Sequence, residues 1–254
     1  MREGIRESCN SYFWNLFRNV ISVKSTSADG FQMWRDHVMK FGFGQRLNTE
    51  LSSEVKGNIP EVSYYDKYFG QKRWTSMTIR SLSIGQGEIL VTPLQLANMA
   101  ATIANRGYYI TPHLVRAIQD TDRVFRNLEF ERKETGINPE HYNTVIEGMQ
   151  AVLEETRLSQ SIRIDSVIIC GKTGTVQNPH GADHSAFVAF APKNNPKIAI
   201  AVFIQNAGFG ATYAAPIAGL VMEKYLNDSI APRRRELAQK LIETDLLNVV
   251  QVKK

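Results

Sequence analysis

The chain has 254 residues, of which 43% are hydrophobic, so it carries enough apolar material to bury a sizeable core. Its net charge is +5, but basic and acidic residues alternate along most of the chain, apart from Arg233-Arg234-Arg235. Because no nucleic-acid-binding motif accompanies this charge, we expect no nucleic-acid partner. Cys9 and Cys170 are the only cysteines, so no disulfide framework or zinc site is expected, and we expect no other metal or cofactor.

The sequence contains no apolar run that approaches the roughly 20 residues needed to span a bilayer. The longest such run, 198–204, is typical of a buried strand. The charged segment 1–7 lacks the apolar stretch of a signal peptide. If the protein works outside the cytoplasm, we expect its targeting signal to lie upstream of this chain.

The N-terminal forty residues are predicted to be helical. Apolar residues recur at helical spacing over 11–21, and the pattern repeats from Phe31 to Val38 before Gly42. Residues 43–84 are polar, turn-rich and irregular, and we interpret them as a long surface excursion rather than as packed core.

Three later helices are indicated by caps and periodicity. Thr92-Pro93 and Asn138-Pro139 each pair a capping side chain with a proline in the first turn, and the first of these helices ends at Asn105. Ala214 to Leu226 is amphipathic and should cover one face of a sheet. We predict that residues 227–254 form a charged, weakly packed tail.

The segment from Val167 to Gln205 is β-rich. One strand leads into Lys172-Thr173-Gly174-Thr175, and two further runs, 186–191 and 197–205, flank a turn that contains two prolines. This pattern predicts a three-stranded antiparallel meander. Together with the helices it predicts an α+β fold.

The Gly-Lys-Thr triplet within this region invites comparison with a phosphate-binding loop. That motif requires glycine where Ser166 stands and a helix afterwards, whereas Pro179 and Gly181 exclude a helix. On a strand, Lys172 instead supplies positive charge, neighbouring hydroxyls receive a carboxylate, and Gly174 lets a substrate backbone lie against the strand.

Ser8-Cys9-Asn10 lies near the start of the chain, before the helix of residues 11–21. Considered alone, Ser8 and Asn10 would be ordinary helix-capping residues. Penicillin-recognising enzymes combine an earlier Ser-x-Asn motif with a later Lys-Thr-Gly motif. With Lys-Thr-Gly downstream, we favour the functional interpretation.

Several further segments occur in the same order as in one family. They are Glu7-Ser8-Cys9-Asn10-Ser11-Tyr12-Phe13, Gly57-Asn58-Ile59-Pro60, Ser83-Ile84-Gly85-Gln86-Gly87, Thr92-Pro93-Leu94-Gln95-Leu96-Ala97, Gly171-Lys172-Thr173-Gly174-Thr175 and Ala189-Phe190-Ala191-Pro192-Lys193-Asn194-Asn195-Pro196. From about Ile5 to Leu226 the chain resembles the penicillin-binding protein 2 family, the class B transpeptidases of cell elongation. The resemblance makes 1–226 the C-terminal portion of a transpeptidase domain with a serine beta-lactamase-like fold.

The resemblance implies a peptidoglycan D,D-transpeptidase. In such enzymes a serine attacks the penultimate D-alanine carbonyl of a stem peptide, releases D-alanine and passes the acyl group to a neighbouring amine. Beta-lactams acylate the same serine. The implied partners are stem peptides, beta-lactams and proteins of the cell-elongation machinery. The implied location is the periplasmic face of the bacterial inner membrane, reached through an N-terminal anchor outside this chain.

The resemblance also implies roles for individual residues. Ser8 would relay protons toward the leaving group, and Asn10 would hold the substrate amide and orient the general-base lysine. Lys172 would supply positive potential, and Thr173 and Thr175 would grip the terminal carboxylate. The backbone amide of Thr175 would form half of the oxyanion hole.

The chain departs from the family in one respect. The Ser-x-x-Lys motif that carries the nucleophile lies upstream of Ser-x-Asn in the family, and only seven residues precede Ser8. Ser53-Glu54-Val55-Lys56 matches the pattern but lies in a turn-rich segment without an apolar helix. We therefore expect this chain alone to be inactive. Without the nucleophile helix and the N-terminal strands, we also expect an apolar groove, an open strand edge and poor solubility.

Two histidines follow the Lys-Thr-Gly motif. We expect His180 and His184 in a glycine-containing loop at the rim of the cleft, where they are either ordinary solvated side chains or contacts to the donor stem peptide. Cys9 and Cys170 are expected to have no catalytic part, and Cys170 should be a small buried hydrophobic residue.

Three functions remain open from the sequence. The first is the C-terminal part of a transpeptidase, and the second is a catalytically silent remnant or scaffold that binds cell-elongation proteins. The third is a beta-lactamase or penicillin sensor on the same fold. Gly85-Gln86-Gly87 followed by Thr92-Pro93, together with the turn between the last strands, favours the synthetic enzyme over the third.

Overall fold

The structure, a computed structural model, describes residues 1–156 and 158–246 and divides the chain into two compact units. The first unit comprises Met1–Cys9 and the described part of Pro139–Lys254, and the second comprises Asn10–Asn138. The boundaries expected from the sequence, 1–226 for the transpeptidase-domain portion and 227–254 for a tail, stay predictions. Within the chain, the structure groups the first nine residues with the C-terminal half.

The helices and strands follow each other in a mixed order. The helices are α1 (Arg2–Arg6), α2 (Asn10–Ile21), α3 (Ser27–Met39), α4 (Val62–Phe69), α5 (Pro93–Ala104), α6 (Pro139–Glu154), α7 (Ser159–Ile162), α8 (Ala214–Asn227) and α9 (Arg235–Glu243). The strands are β1 (Tyr108–Ile110), β2 (Ala117–Gln119), β3 (Phe125–Asn127), β4 (Arg132–Glu134), β5 (Cys170–Val176), β6 (His184–Ala191) and β7 (Ile198–Ile204). Two 3-10 helices span Arg80–Ile84 and Pro232–Arg234. The predicted α+β class is confirmed.

The first unit is built around an antiparallel sheet in the order β5-β6-β7. Lys172 pairs with Val188 on β6, which in turn pairs with Ala201 on β7. α8 packs against β6 and β7, and α6 packs against β5. The predicted meander and its covering helix are therefore present, with Phe187 and Phe190 fully buried in the core.

The end of the first unit differs from the predicted loose tail. Arg234 is buried and pairs at 3.0 Å with Glu223, which is itself buried on α8. The Arg234 guanidinium also donates to the carbonyl oxygen of Ser161 at 3.0 Å. A buried ion pair with these additional hydrogen bonds fixes the chain as far as Arg234. α9 beyond it buries no residue, and residues 247–254 of the predicted tail lie outside the described residues.

The second unit has its own aromatic core, and here the sequence interpretation was wrong. Residues 43–84 do not form a surface excursion but supply much of this core. Its buried members are Phe17, Ile21, Phe31, Tyr65, Trp74, Ile79 and Leu82. The polar atoms of the two largest are satisfied, because Tyr65 Oη donates to Glu88 and Trp74 Nε1 donates to Asp66.

α5 has the predicted N-terminus. Thr92 and Gln95 form a reciprocal capping box, and proline occupies the first turn. Gln95 is buried, and its Nε2 donates to the carbonyl oxygens of Gly42, Gln45 and Lys56 at 3.0–3.1 Å. This side chain therefore ties the irregular segment after α3 to the start of α5.

Two small antiparallel pairs, β1–β4 and β2–β3, occupy residues 108–134 and were not predicted. Each strand has three residues. Such short strands do not repeat an apolar–polar alternation often enough to be recognised from sequence.

Candidate active site

The structure brings Ser8 and Lys172 into direct contact, although they are 164 residues apart in sequence. The Lys172 Nζ donates to Ser8 Oγ at 2.5 Å and to the carbonyl oxygen of Thr173 at 2.9 Å. Ser8 comes from the turn after α1, and Lys172 comes from β5. Ser8 of the Ser-x-Asn motif and Lys172 of the Lys-Thr-Gly motif therefore meet within the first unit.

Ser8 is held in a strained backbone conformation by the end of α1. Its φ of 50° lies in the left-handed region, which glycine usually occupies at this position after a helix. The Cys9 N–H donates to the Gly4 carbonyl at 3.0 Å, and the Ser8 N–H donates to the Ile5 carbonyl at 3.2 Å. These two bonds form a Schellman motif, so the position of Ser8 follows the position of α1.

Lys172 lies in a partly desolvated environment. Burial lowers the pKa of its ammonium group below the ordinary value of 10.5. A partly buried cation beside a hydroxyl provides positive potential where negative charge develops and a route for a proton through the hydroxyl. The roles that the Lys-Thr-Gly and Ser-x-Asn motifs predict for Lys172 and Ser8 stay predictions.

The strand register arranges the other motif residues. Thr173 and Thr175 are two residues apart on β5, so their side chains share one face of the sheet, and Lys172 points to the other. Thr175 lies opposite Ser185 on β6. Among the described residues β5 pairs only with β6, so the second edge of this strand is open for another extended segment. The predicted roles of Thr173, Thr175 and its amide stay predictions.

Asn10 is the first residue of α2 and belongs to the second unit. The sequence prediction of a Ser-x-Asn motif on a turn between two helices is matched by the local structure, because Ser8 follows α1 and Asn10 begins α2. Its role toward a substrate amide stays a prediction.

Ser185 on β6 and Gly210 in the loop after β7 are two residues that the sequence did not single out. The buried Ser185 Oγ donates to the Phe209 carbonyl at 3.1 Å and accepts the Ala214 N–H at 3.3 Å. A Cβ at Gly210 would lie 2.6 Å from the Gly174 carbonyl oxygen, so only glycine permits this approach. The loop thus packs on the backbone of β5 at Gly174. The closely spaced glycines at 208 and 210 were the available signal.

The histidines differ from each other. The sequence predicted His184 in the loop, but it is the first residue of β6. Its Nδ1 accepts the Asn206 N–H at 3.0 Å, and its ring lies edge-on to Phe203, so it joins the ends of β6 and β7. His180 is exposed in the loop, as expected. Contact of either residue with a donor peptide stays a prediction.

Ser53, the alternative nucleophile, is exposed in a turn outside any helix. The neighbouring Glu54 carboxylate accepts the backbone N–H groups of Leu47 and Thr49. The carbonyl of Lys56 accepts from Gln95. This Ser-x-x-Lys segment is therefore engaged in organising a loop of the second unit.

Neither a metal site nor a membrane span is present in the part of the chain that the structure describes. No group of three or more metal-ligating side chains is gathered there. None of its helices combines the length and the apolar composition needed to cross a membrane.

Comparison with known proteins agrees with the geometry. Residues 1–223 match the penicillin binding protein transpeptidase domain. The Haemophilus influenzae peptidoglycan D,D-transpeptidase MrdA is 30% identical over 250 residues, which cover 91% of this chain and 37% of that protein. The chain therefore spans well under half the length of this curated relative.

Solved structures show the same relationship. Pseudomonas aeruginosa PBP2, solved in complex with WCK 5153, superposes with a TM-score of 0.74 at 31% identity, over 89% of this chain and 48% of the other. Penicillin-binding protein A from Mycobacterium tuberculosis, solved as a ceftriaxone acyl-enzyme, gives a TM-score of 0.71 at 28% identity, over 87% and 47% respectively. With its paired serine and lysine motifs, this chain belongs to the penicillin-binding protein transpeptidase family.

Proposed function

We propose that this chain forms the C-terminal part of a peptidoglycan D,D-transpeptidase that cross-links stem peptides. The observation that carries the proposal is the hydrogen bond from Lys172 Nζ to Ser8 Oγ, which joins two motifs 164 residues apart. The serine that becomes acylated is supplied by sequence upstream of Ser8. Membership of the transpeptidase family and the partial coverage of its relatives support this assignment.

In the proposed reaction Ser8 and Lys172 act after the nucleophile has attacked the D-alanine carbonyl. The Ser8 hydroxyl passes a proton toward the leaving amine, and the Lys172 ammonium stabilises the negative charge around it. Thr173 and Thr175 receive the terminal carboxylate of the stem peptide. The Thr175 N–H donates to the oxyanion, a type of contact whose loss costs about 100- to 1,000-fold in rate.

The proposed ligands are stem peptides and beta-lactams. The relative from Mycobacterium tuberculosis was solved as a ceftriaxone acyl-enzyme, which supports acylation of this protein by the same class of compound. The proposed location is the periplasmic face of the inner membrane, with cell-elongation proteins as partners.

The test is covalent labelling of the gene product that contains this chain. Membranes of the source organism are incubated with a fluorescent penicillin, and the labelled protein is identified by its peptides. Lys172→Ala should lower the acylation rate by about 100-fold, because it removes a preorganised charge from the site. Lys197→Ala is the matched control, because this exposed lysine precedes β7 on the same sheet.

Three outcomes distinguish the candidate functions. Heat-stable label that depends on Lys172 supports the transpeptidase. A folded, unlabelled product contradicts it and supports a catalytically silent scaffold. Rapid release of hydrolysed beta-lactam from the labelled protein supports a beta-lactamase instead.

A further inference from the structure

We propose that α6 positions Ser8 against Lys172, and that Gly148 and Glu155 are the positioning residues. The effect of this positioning on catalysis rests on the proposed function, whereas the positioning itself does not. α6 packs against both α1 and β5, the two elements that carry Ser8 and Lys172. A single helix therefore sets the separation of the two side chains.

Gly148 lets α1 approach α6 closely. A Cβ at this position would lie 2.9 Å from both Cβ and Cδ1 of Ile5, closer than real Cβ contacts allow. Both residues are buried. Glycine in a helix interior is less favourable than alanine. Gly148 therefore makes α6 less stable than alanine would, but it allows a short distance between α6 and α1.

Glu155, directly after α6, holds both ends of α1. Its two carboxylate oxygens accept hydrogen bonds from Arg2 and Arg6, the latter at 2.7 Å. These hydrogen bonds lower the pKa of the Glu155 carboxyl. All three side chains are partly exposed, so the cluster adds little to stability, but it contacts both ends of α1 and so restricts its rotation.

The position of α1 is transmitted to Ser8 through the backbone. The two Schellman hydrogen bonds tie the backbone of Ser8 to α1, because both acceptors, Gly4 and Ile5, belong to that helix. Ile5 is also the residue that rests on Gly148. A shift of α1 on α6 therefore displaces Ser8 Oγ from Lys172 Nζ. In active sites a displacement of about 1 Å can cost about 100-fold in rate.

The first test measures the geometry of the purified chain without requiring catalysis. Ser8→Cys is introduced into a Cys9→Ser, Cys170→Ala background, and a short amine-to-thiol cross-linker joins the new thiol to Lys172. Mass spectrometry follows the rate at which the cross-linked peptide forms. Gly148→Ala should lower this rate by about tenfold and Glu155→Gln by about threefold, because each displaces or loosens α1.

Two matched controls lie on the same helix. Glu154→Gln changes the adjacent carboxylate, which accepts a hydrogen bond from Gln150 within α6. Glu147→Ala puts an alanine at the exposed position beside Gly148, where a Cβ atom is already present. Both should cross-link at the parent rate. An unchanged rate in a folded Gly148→Ala chain, or an equal decrease in Glu154→Gln, overturns the proposal. If Gly148→Ala does not fold, a parent-like rate in Glu155→Gln overturns it.

The second test joins the geometry to the proposed reaction. In the penicillin-labelled gene product, Glu155→Gln should lower the acylation rate by about threefold without changing the melting temperature, and Glu154→Gln should leave both unchanged. If the parent product is never labelled, the proposed function fails, while the cross-linking rates still decide whether α6 positions Ser8. A labelled parent with an unaffected Glu155→Gln variant overturns the positioning role alone.

Discussion

The chain contains two serine–lysine pairs, and they show how sequence pattern and spatial arrangement can disagree. Ser53 and Lys56 match the family's nucleophile pattern, yet Ser53 is exposed in a turn while its neighbour Glu54 caps backbone N–H groups. Ser8 and Lys172 share no local pattern, yet their side chains are hydrogen-bonded. A catalytic arrangement is therefore indicated by the order of motifs along the chain and not by one short match.

The largest expected effect concerns whether Ser53, in the Ser-x-x-Lys match, is catalytically inert. The purified 254-residue chain should retain no fluorescent penicillin after denaturation, because loss of the nucleophile in a triad-like site costs on the order of a million-fold. Gel fluorescence after heating measures this. Heat-stable label that disappears in Ser53→Ala would reverse the comparison and make Ser53 the nucleophile.

Much of the first unit could be predicted from sequence because its elements carry regular signals. The capping pattern at Asn138-Pro139 and the apolar runs of β6 and β7 gave elements close to those observed, and in the second unit the cap at Thr92 did the same for α5. The core of the second unit could not be predicted in this way. Tyr65 lies on α4, which has only eight residues, and Trp74 lies beyond its end, so neither belongs to an apolar repeat long enough to be recognised from sequence.

The candidate site shows the same division. The contact between Ser8 and Lys172 could be anticipated from the family order of their motifs. The part played by Ser185 could not, because a buried hydroxyl that satisfies a loop carbonyl leaves no pattern in its own neighbourhood. Gly148 was hidden for a related reason, since its partner Ile5 lies far away in sequence.

The next expected effect concerns the structural role of the segment from Ser53 to Lys56. Glu54→Ala should lower the free energy of unfolding by about 2 kcal/mol, because the N–H groups of Leu47 and Thr49 lose their acceptor and Leu47 is buried. Ser53→Ala is the matched control and should be neutral. Urea unfolding measures both. Equal stability of the two variants would mean that the carboxylate does not organise this loop.

A smaller effect of opposite sign is expected at Ser8. Ser8→Gly should raise the free energy of unfolding by about 1 kcal/mol, because glycine adopts the left-handed conformation at a φ of 50° without the cost that a side chain adds. Ser8→Ala loses the same hydroxyl but keeps the strained backbone, so it should show no gain. If both variants unfold alike, the backbone of Ser8 stores no strain.

The smallest effect is a pH dependence at Lys172. Burial lowers the pKa of this lysine, so between its folded value and the ordinary 10.5 the unfolded chain binds more protons, and stability rises with pH. Below that window the lysine is charged in both states and its burial is unfavourable. Lys172→Met should therefore be more stable than the parent at pH 7, with a gain that shrinks as the pH approaches 10.5. Lys56→Met, at an exposed lysine, should show no such trend. Paired unfolding measurements from pH 7 to pH 10.5 decide this, and a gain independent of pH would mean that Lys172 is not destabilised by burial.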